Sequence, residues 1–567
     1  MKTKPFLCLP LVLLSAAFAL AVVLFLFGCA PQAGVAADAD LSREQRGGQA
    51  GAATIRYVAP APEGKDEGDC SNPSSPCASV QYAVDQANAG DEVRIAGGTY
   101  TQVSHRPPPP GYAGEVAVIT QCVYLSKSLT LRGGYTPSVD GGQGGWTVSD
   151  PAANPTVLDA QGQGRVLFIA GEISPTIEGL RLTGGNASGL GGFAGLNAGG
   201  GVYIITATAT LSSNEVISNT GGAPIEGWGS LGGGVFLFRS PSQLIHNTIS
   251  ANIAVASNGA STGGGIYIFE SAAELIGNVF EDNHGDGGAV LVENSPALLM
   301  DNQIRGNFAI GGFGGGGVYL LNSDAMLLRN VIADNRATNP GYDELYGGGG
   351  IYILGGSPQL IGNLISGNQY GTDACWGNGG GVYIGSGSRA TFTNNVFLGN
   401  CASWGAQVYI SYDSSPTFLH NTFTKAGPGI TVFFNSQATL VNSIIVGQDI
   451  GLQVGDDSIA TLNGVLWFDN QSNISGGGVV TVTSEYTGDP AFAEDGYHLT
   501  AASAAIDRGV NAGVETDLDG LPRLVGAAPD LGAHEYPVAV RPNLLFFPMT
   551  YKQEWLPGSL LLYPETH

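Results

Sequence analysis

Few residues in this chain are placed to do chemistry, and those few lie far apart. Hydrolysis of a uronate glycoside needs grouped Asp carboxylates, one of them a general acid, with a His and an Arg-x-Lys pair to hold the substrate acid. The sequence has no Arg-x-Lys; its adjacent acids Asp456 and Asp457 come late, and His284-Gly-Asp286 lacks the surrounding motif. β-Elimination from a uronate needs a cation such as calcium to acidify the proton beside the carboxylate, and an Arg or Lys as base. Arg336 and Lys425 are the base candidates, among scattered residues Arg239, Arg305, Arg329 and Arg389 that serve equally as solvated surface groups.

Binding chemistry is better represented. Trp228, Tyr342, Asp343, Glu344, Tyr346, Asp373, Trp376 and Trp404 concentrate in segments of variable length. Aromatic and acidic side chains on loops over a rigid scaffold are what a glycan site needs, although loop aromatics also fold back onto their scaffold. In "TDLDG", Asp517 and Asp519 occupy alternate positions with Asp530 downstream. Oxygen ligands so spaced can hold calcium; the same stretch also makes a plain Asp-Gly turn. No cofactor is otherwise required.

The scaffold is a phrase written over and over, as in "GGGIYIFESAAELIGNVFEDN" from Gly263 and "GGGVYIGSGSRATFTNNVFLGN" from Gly379. Aligned on its first Asn it gives Asn214, Asn247, Asn278, Asn302, Asn330, Asn363, Asn395, Asn421 and Asn442, at spacings of 21 to 33 residues. A second Asn follows five residues later, from Asn219 to Asn400. Length varies only between that second Asn and the next glycine run, which predicts one structural unit carrying loops on a single side.

Within a unit, "VYI" and "xLIGNxI" are too short for helices and favour β-branched and aromatic residues. Such a unit cannot bury its own apolar face, but coiling lets each strand pair in parallel with its equivalent one turn away. The predicted fold is all-β: a single-stranded right-handed parallel β-helix, a solenoid with the Asn side chains stacked as a ladder. Nine Asn rungs and about four earlier ones, at roughly 4.8 Å each, predict a rod on the order of 60 Å. In each "VYI" run Val and Ile should face inward and the aromatic outward, aligning Tyr203, Phe236, Tyr267, Tyr319, Tyr352, Tyr383 and Tyr409, with Leu291 interrupting. That row is either a sugar platform or a ladder of packed rings. Upstream, Val80, Ala83, Val84 and Ala87 share one helical face, so a short helix should cover the N-terminal end of the core.

Lys2, Lys4 and the apolar run Leu11 to Phe27 read as an export signal; a cleaved leader and an uncleaved anchor both place the body outside the cytoplasm. In an oxidising compartment Cys70 can pair with Cys77 across a short loop. Cys375 and Cys401 lie about one rung apart, so stacking can bring their Cα atoms within the ~4.4–6.8 Å a bridge requires. Cys122 is left over. The formal net charge of −25 repels phosphate backbones and disfavours nucleic acid as a partner.

"LFGC" (Leu26 to Cys29) resembles a bacterial lipoprotein box, which implies acylation of Cys29, loss of the leader before it and a cell-surface protein touching a membrane through lipid alone. "SAAIDRGVNAGVETDLDGLPRLVGAAPDLGAHEY" (Ser503 to Tyr536) resembles the choice-of-anchor Q module of secreted bacterial β-helix proteins. The span from about Ile55 to Tyr536 resembles the pectate-lyase-like β-helix family, whose fold hosts lyases, hydrolases, epimerases and adhesins and so implies no single reaction. The expected organisation is a signal peptide at 1–28, a flexible tether at 29–54, an N-terminal cap with first rungs at 55–135, β-helix repeats at 136–490, a C-terminal cap module at 491–536 and a tail at 537–567, packed on the last rung or disordered. The expected function is non-catalytic binding of polysaccharide or a cell-surface glycan by a monomer. The alternative is a calcium-dependent, pectate-lyase-like cleavage of uronate polymers.

Overall fold

The computed structural model describes residues 53–112, 116–137, 145–222, 229–254, 263–311, 314–339, 347–371, 375–425 and 427–537. The leader, Cys29, nearly all of the tether and the tail from 538 onward lie outside them.

Each rung closes because the chain turns at single residues held in the left-handed region. In one rung these are Arg239 (φ 50°), His246 (φ 53°) and Ala251 (φ 53°). Between and before them run three short strands, Val235–Phe238, Gln243–Ile245 and Thr248–Ser250. The next rung repeats the set with Ile266–Phe269, Glu274–Ile276 and Val279–Glu281. Pairing is parallel and residue for residue, Val235 with Ile266, Leu244 with Leu275 and Ile249 with Phe280. The run read as one strand in the sequence is therefore two, bent at the residue before the first Asn. First strands stack into a 14-stranded sheet, second and third strands into a 26-stranded one. Inward Val, Ile, Leu and Phe side chains form one continuous core from Val58 to Trp467.

Two corners are held by asparagine columns. Asn278 Oδ1 accepts from Asn247 N–H and Nδ2 at 2.8 and 3.0 Å, while its own Nδ2 donates to Leu244 O and Asn302 Oδ1 at 2.7 and 3.0 Å. Every amide atom is used, so the side chain is fully buried at no hydrogen-bonding loss. This first column runs from Asn214 to Asn421. Asn442 is not its ninth member. Thr422 pairs with Ile444, so Ser443 fills the slot and Asn442 sits one residue early, in the left-handed corner (φ 52°). The second column runs from Asn219 to Asn400 and ends on the amide of Gln407. The remaining corner has a serine column that the spacing analysis missed, Ser240 N–H to Ser271 Oγ (2.9 Å) and Ser271 N–H to Ser295 Oγ (3.0 Å).

The outward aromatic row is buried. Tyr203, Phe236, Tyr319, Tyr352 and Tyr383 are at most 2% exposed and form, with Phe168 and Leu291, a second cluster on the far side of the 14-stranded sheet. Ring centroids lie 4.7 Å apart between Tyr352 and Tyr383 and 5.5 Å between Tyr383 and Tyr409. Chain preceding the strands folds over the rings so closely that a Cβ at Gly347 would come within 2.5 Å of Tyr383. The row is a packing ladder and not a sugar platform.

At the N-terminal end a helix, α1 (Val80–Gln86), buries Val80, Ala83 and Val84, with Ala87 just beyond. Beneath it Cys122 is a buried free thiol, pushed up to about 12 by burial. Both expected disulfides are present, Cys70–Cys77 with Cα atoms 5.3 Å apart and Cys375–Cys401 at 5.5 Å. No helix among the described residues is long and apolar enough to cross a membrane.

Candidate functional site

Variable segments leave the stack after the second Asn, and in three successive rungs they begin as an extra strand. Phe308–Ile310, Arg336–Thr338 and Gln369–Tyr370 form a small parallel sheet beside the main coil. Ala309, Ala337 and Tyr370 form its own buried cluster. This sheet fixes where the loops start. Trp228, Tyr342, Asp343, Glu344, Tyr346 and Asp373, all expected to contact ligand, lie outside the described residues.

Trp376 and Trp404 are described, and the structure brings them onto neighbouring rungs. They are 57% and 44% exposed. Cys375, beside Trp376, is bonded to Cys401, which opens the segment carrying Trp404. Ser403 Oγ donates to Cys375 O at 3.1 Å. Trp404 N–H donates to Gly377 O at 3.1 Å, and Gly379 N–H donates to Trp404 O at 2.9 Å. The two indoles therefore leave a backbone that is cross-linked and paired within a few residues of each.

Further aromatics join them that the sequence reading overlooked. The Trp404 ring lies 5.9 Å from Phe433, and Phe433 lies 6.2 Å from Phe434. Phe434 stacks on Tyr412 at 4.9 Å and 7°. Tyr412 and Phe434 are 36% and 47% exposed. Their signal was available: "SYDSS" and "FFNSQ" occupy the same corner of consecutive rungs, with Asn435 Nδ2 donating to Asp413 Oδ1 at 2.5 Å. Large exposed apolar rings at a turn are uncommon on a soluble surface and mark a contact area.

Basic residues fare differently. Arg239 pairs with Glu270 (2.7 Å), Arg305 with Glu281 (3.2 Å) and Arg329 with Asp301 (2.8 Å), each across one rung. Arg336 donates from Nε to Gly371 O at 3.3 Å, and its guanidinium lies 5.7 Å over the Phe308 ring. Lys425 follows Asp334, Gly367 and Gly399 in one corner column, so it stands three rungs from Arg336, about 14 Å at the usual strand spacing. The two candidate bases are not brought together. Asp286 is buried, and burial holds its carboxyl up at about 7; His284 lies exposed against Phe308, 5.8 Å between ring centres.

Two of the carboxylates expected to hold calcium are engaged by backbone N–H groups. Asp517 accepts from the backbone N–H groups of Asp519, Leu521 and Glu535 (2.9, 2.8 and 2.9 Å). Asp530 accepts from those of Asp507 and Tyr536, both 2.7 Å. Both therefore act as turn-closing acceptors. Asp519 instead joins His498 and His534, three groups whose ligand atoms lie within 4.8 Å of one another. Their hydrogen bonds oppose a metal. His534 Nδ1 accepts the Leu499 N–H at 3.0 Å, so its proton sits on Nε2, the nitrogen 3.9 Å from Asp519. His498 faces Asp519 through Nε2 at 2.9 Å and Asp495 through Nδ1. The Asp519 hydrogen bond, with that of Asp495, holds its imidazolium up at about 9. The cluster is an ionic clasp inside the C-terminal module.

That module, 491–536, lies against the flank of the last rungs. His420 Nδ1 donates to Asp530 O at 3.1 Å while its Nε2 accepts from Asn442 Nδ2 at 2.9 Å. Asn442 also exchanges bonds with Val510, N–H to Oδ1 at 2.9 Å and Nδ2 to O at 2.6 Å. Arg523, 2% exposed, donates to Asn394 Oδ1 at 2.6 Å. Left-handed corner residues of three rungs thus serve as the docking row.

Comparison with known proteins gives the following. Residues 200–379 and 289–475 match the family model described as right handed beta helix region. No curated protein matches the chain. Solved structures similar to it include pectate lyase Pel9A, at 13% identity over 85% of this chain and 96% of that one, TM-score 0.30. The complex of XylC with xylose has 10% identity over 85% and 98%, TM-score 0.35. A tailspike double mutant of E. coli bacteriophage HK620, in complex with a pentasaccharide, has 13% identity over 72% and 79%, TM-score 0.23. With parallel pairing through residues 200–475 and asparagines stacked from Asn214 to Asn421, this chain carries a right-handed β-helix region.

Proposed function

We propose that the protein is a polysaccharide-binding module of the bacterial cell surface that does not cleave its ligand, and that glycan lies along the loop-bearing side at Trp376 and Trp404. The observation that carries this reading is the pair of exposed indoles fixed on adjacent rungs by the Cys375–Cys401 bridge. Sugar rings stack on aromatic faces, and a rigid presentation lowers the ordering cost of binding. Loops at several rungs would each add a weak contact to one polymer through effective concentration. Neutral glycans suit a chain of net charge −25 better than uronates. Acylation of Cys29 would hold the module at the membrane.

A glycan array, run beside an assay for unsaturated uronate products with and without calcium, tests this directly. Binding without turnover is expected, and Trp376→Ala with Trp404→Ala should reduce it at least about tenfold while the β-sheet spectrum stays unchanged. Turnover by the wild type that is lost in Arg336→Ala or Lys425→Ala would establish the lyase instead. Cys29→Ala should release the protein from membranes; continued fractionation with membranes would remove the lipid anchor.

A further inference from the structure

The two ends of the core differ. At the N-terminal end α1 covers it; at the C-terminal end the last described rung does not cover itself. Its strands are Ser472–Ser475 and Val479–Thr487. Val480, Val482 and Ile474 stack on the inward side chains Ala460, Leu462 and Leu452, so they point into the core. Yet Val482 is 39% exposed, and Val480 and Ile474 are only half-buried. Val479 beside them is 59% exposed. Among the described residues Val479–Thr487 pairs with Ile459–Phe468 and with no other strand. Among the described residues, one row of its backbone N–H and C=O groups therefore has no strand partner. A nine-residue free edge with exposed Val479 and Val482 invites association with an extended chain.

The C-terminal module does not remove this edge. It covers the outward side of the same rungs, where Tyr536 of the module and Tyr486 of the strand itself pack on one cluster with Leu466. The described chain ends one residue after Tyr536, at Pro537. Thirty residues follow, enough to span about 100 Å when extended. They contain two apolar pentads bounded by breakers, Asn543 to Phe547 between prolines and Ser559 to Tyr563 between Gly558 and Pro564. Both are rich in Leu and aromatic residues, the types that pack on a half-buried strand.

We propose that residues 538–567 of the same chain cover the open end, adding an apolar segment along Val479–Thr487 and over Val480, Val482 and Ile474. Pairing of this kind satisfies the free backbone row through main-chain bonds and buries the core end through alternate side chains. It does for this end what α1 does for the other, and it blocks end-to-end pairing of two copies.

Hydrogen exchange of the full-length protein tests the proposal, read at the amides of Val479–Thr487 that are not donated to Ile459–Phe468. These should exchange about a hundredfold more slowly than exposed amides, in a protein that sediments as a monomer. In the full-length variant Phe546→Asp with Leu561→Asp that protection should disappear, and self-association should appear as concentration rises. Fast exchange of these amides in the monomeric wild type would overturn the proposal. Protection that survives the double substitution would do the same. Protection that tracks a wild-type dimer would assign the edge to a second copy instead.

Discussion

The regular rungs and the C-terminal module solve the problem of buried polarity in opposite ways. In the rungs one solution is copied: each corner amide bonds to the same atoms one turn above and below, so Asn278 and Asn307 are interchangeable in their surroundings. In the module every bond is made once. Its contacts with the rungs are individual: Asp530 with His420, Val510 with Asn442 and Arg523 with Asn394. Repetition makes a defect in the rungs propagate to its neighbours, whereas a defect in the module stays local. A periodic stack behaves as a sum of nearest-neighbour interfaces, and the module is a single interface laid over it.

Substitution inside the column should therefore have the largest effect. Asn307→Leu strands the Asn283 N–H and one Nδ2 hydrogen of Asn283 and removes the bond to Phe280 O, all buried. A loss of about 3–5 kcal/mol is expected from so many unsatisfied groups, read as a drop in Tm and denaturant midpoint of the whole β signal. His420→Ala should cost less, about 2–3 kcal/mol, and in one place: limited proteolysis within 491–536 should accelerate while the β-sheet spectrum is retained. A fall in the global β signal equal to that of Asn307→Leu would erase the distinction drawn between the two regions.

Acidity sharpens the same contrast, because the titrating groups with opposed shifts lie in or under the module. His498 is held up at about 9 by its carboxylate hydrogen bonds, so its contribution is complete below its usual 6.5 and is lost as pH rises through about 9. His534 and His420 are held down at about 4 and about 3 by burial, so their contributions are lost as pH falls from 6.5 towards those values. Glu535, raised to about 7 by burial, acts in the opposite sense between 4.5 and 7 and blunts the acid limb. Module docking should be strongest near pH 6.5, by proteolytic susceptibility, while in the rungs the buried Asp286, held up at about 7, favours the fold as pH falls below 7. The smallest effect expected is that of removing Cys375–Cys401. Stacking already holds those rungs, so Cys375→Ser with Cys401→Ser should cost about 1 kcal/mol, at the low end for disulfides. The change should appear in tryptophan emission more than in Tm.

The same contrast explains what could be read from the sequence. A feature set by repetition or short range is legible: eight of the nine expected Asn positions stack, α1 buries the face predicted for it, and the disulfides close one short loop and one pair of neighbouring rungs. Asn442 failed because an Asn at 21 residues falls one short of the 22-residue step from Asn421 to its next-rung equivalent, and only register separates the two. The serine corner was missed because its residues stand among other small polar types. Docking of Arg523 on Asn394, 129 residues apart, has no periodic trace at all. Of the candidate site, the exposed Trp376 and Trp404 stood out by composition; Tyr412 and Phe434 needed the rung alignment to be seen as neighbours.

Cys122 carries a consequence for following the molecule in time. Its thiol lies under α1, and only a thiolate attacks alkylating reagents. While the helix is seated the sulfur is sheltered twice, by lack of access and by a proton it does not release at neutral pH. Lifting of the helix would expose it. Its alkylation rate is thus a clock for the first breath of the N-terminal end, ticking in a protein whose spectrum shows nothing but the folded state.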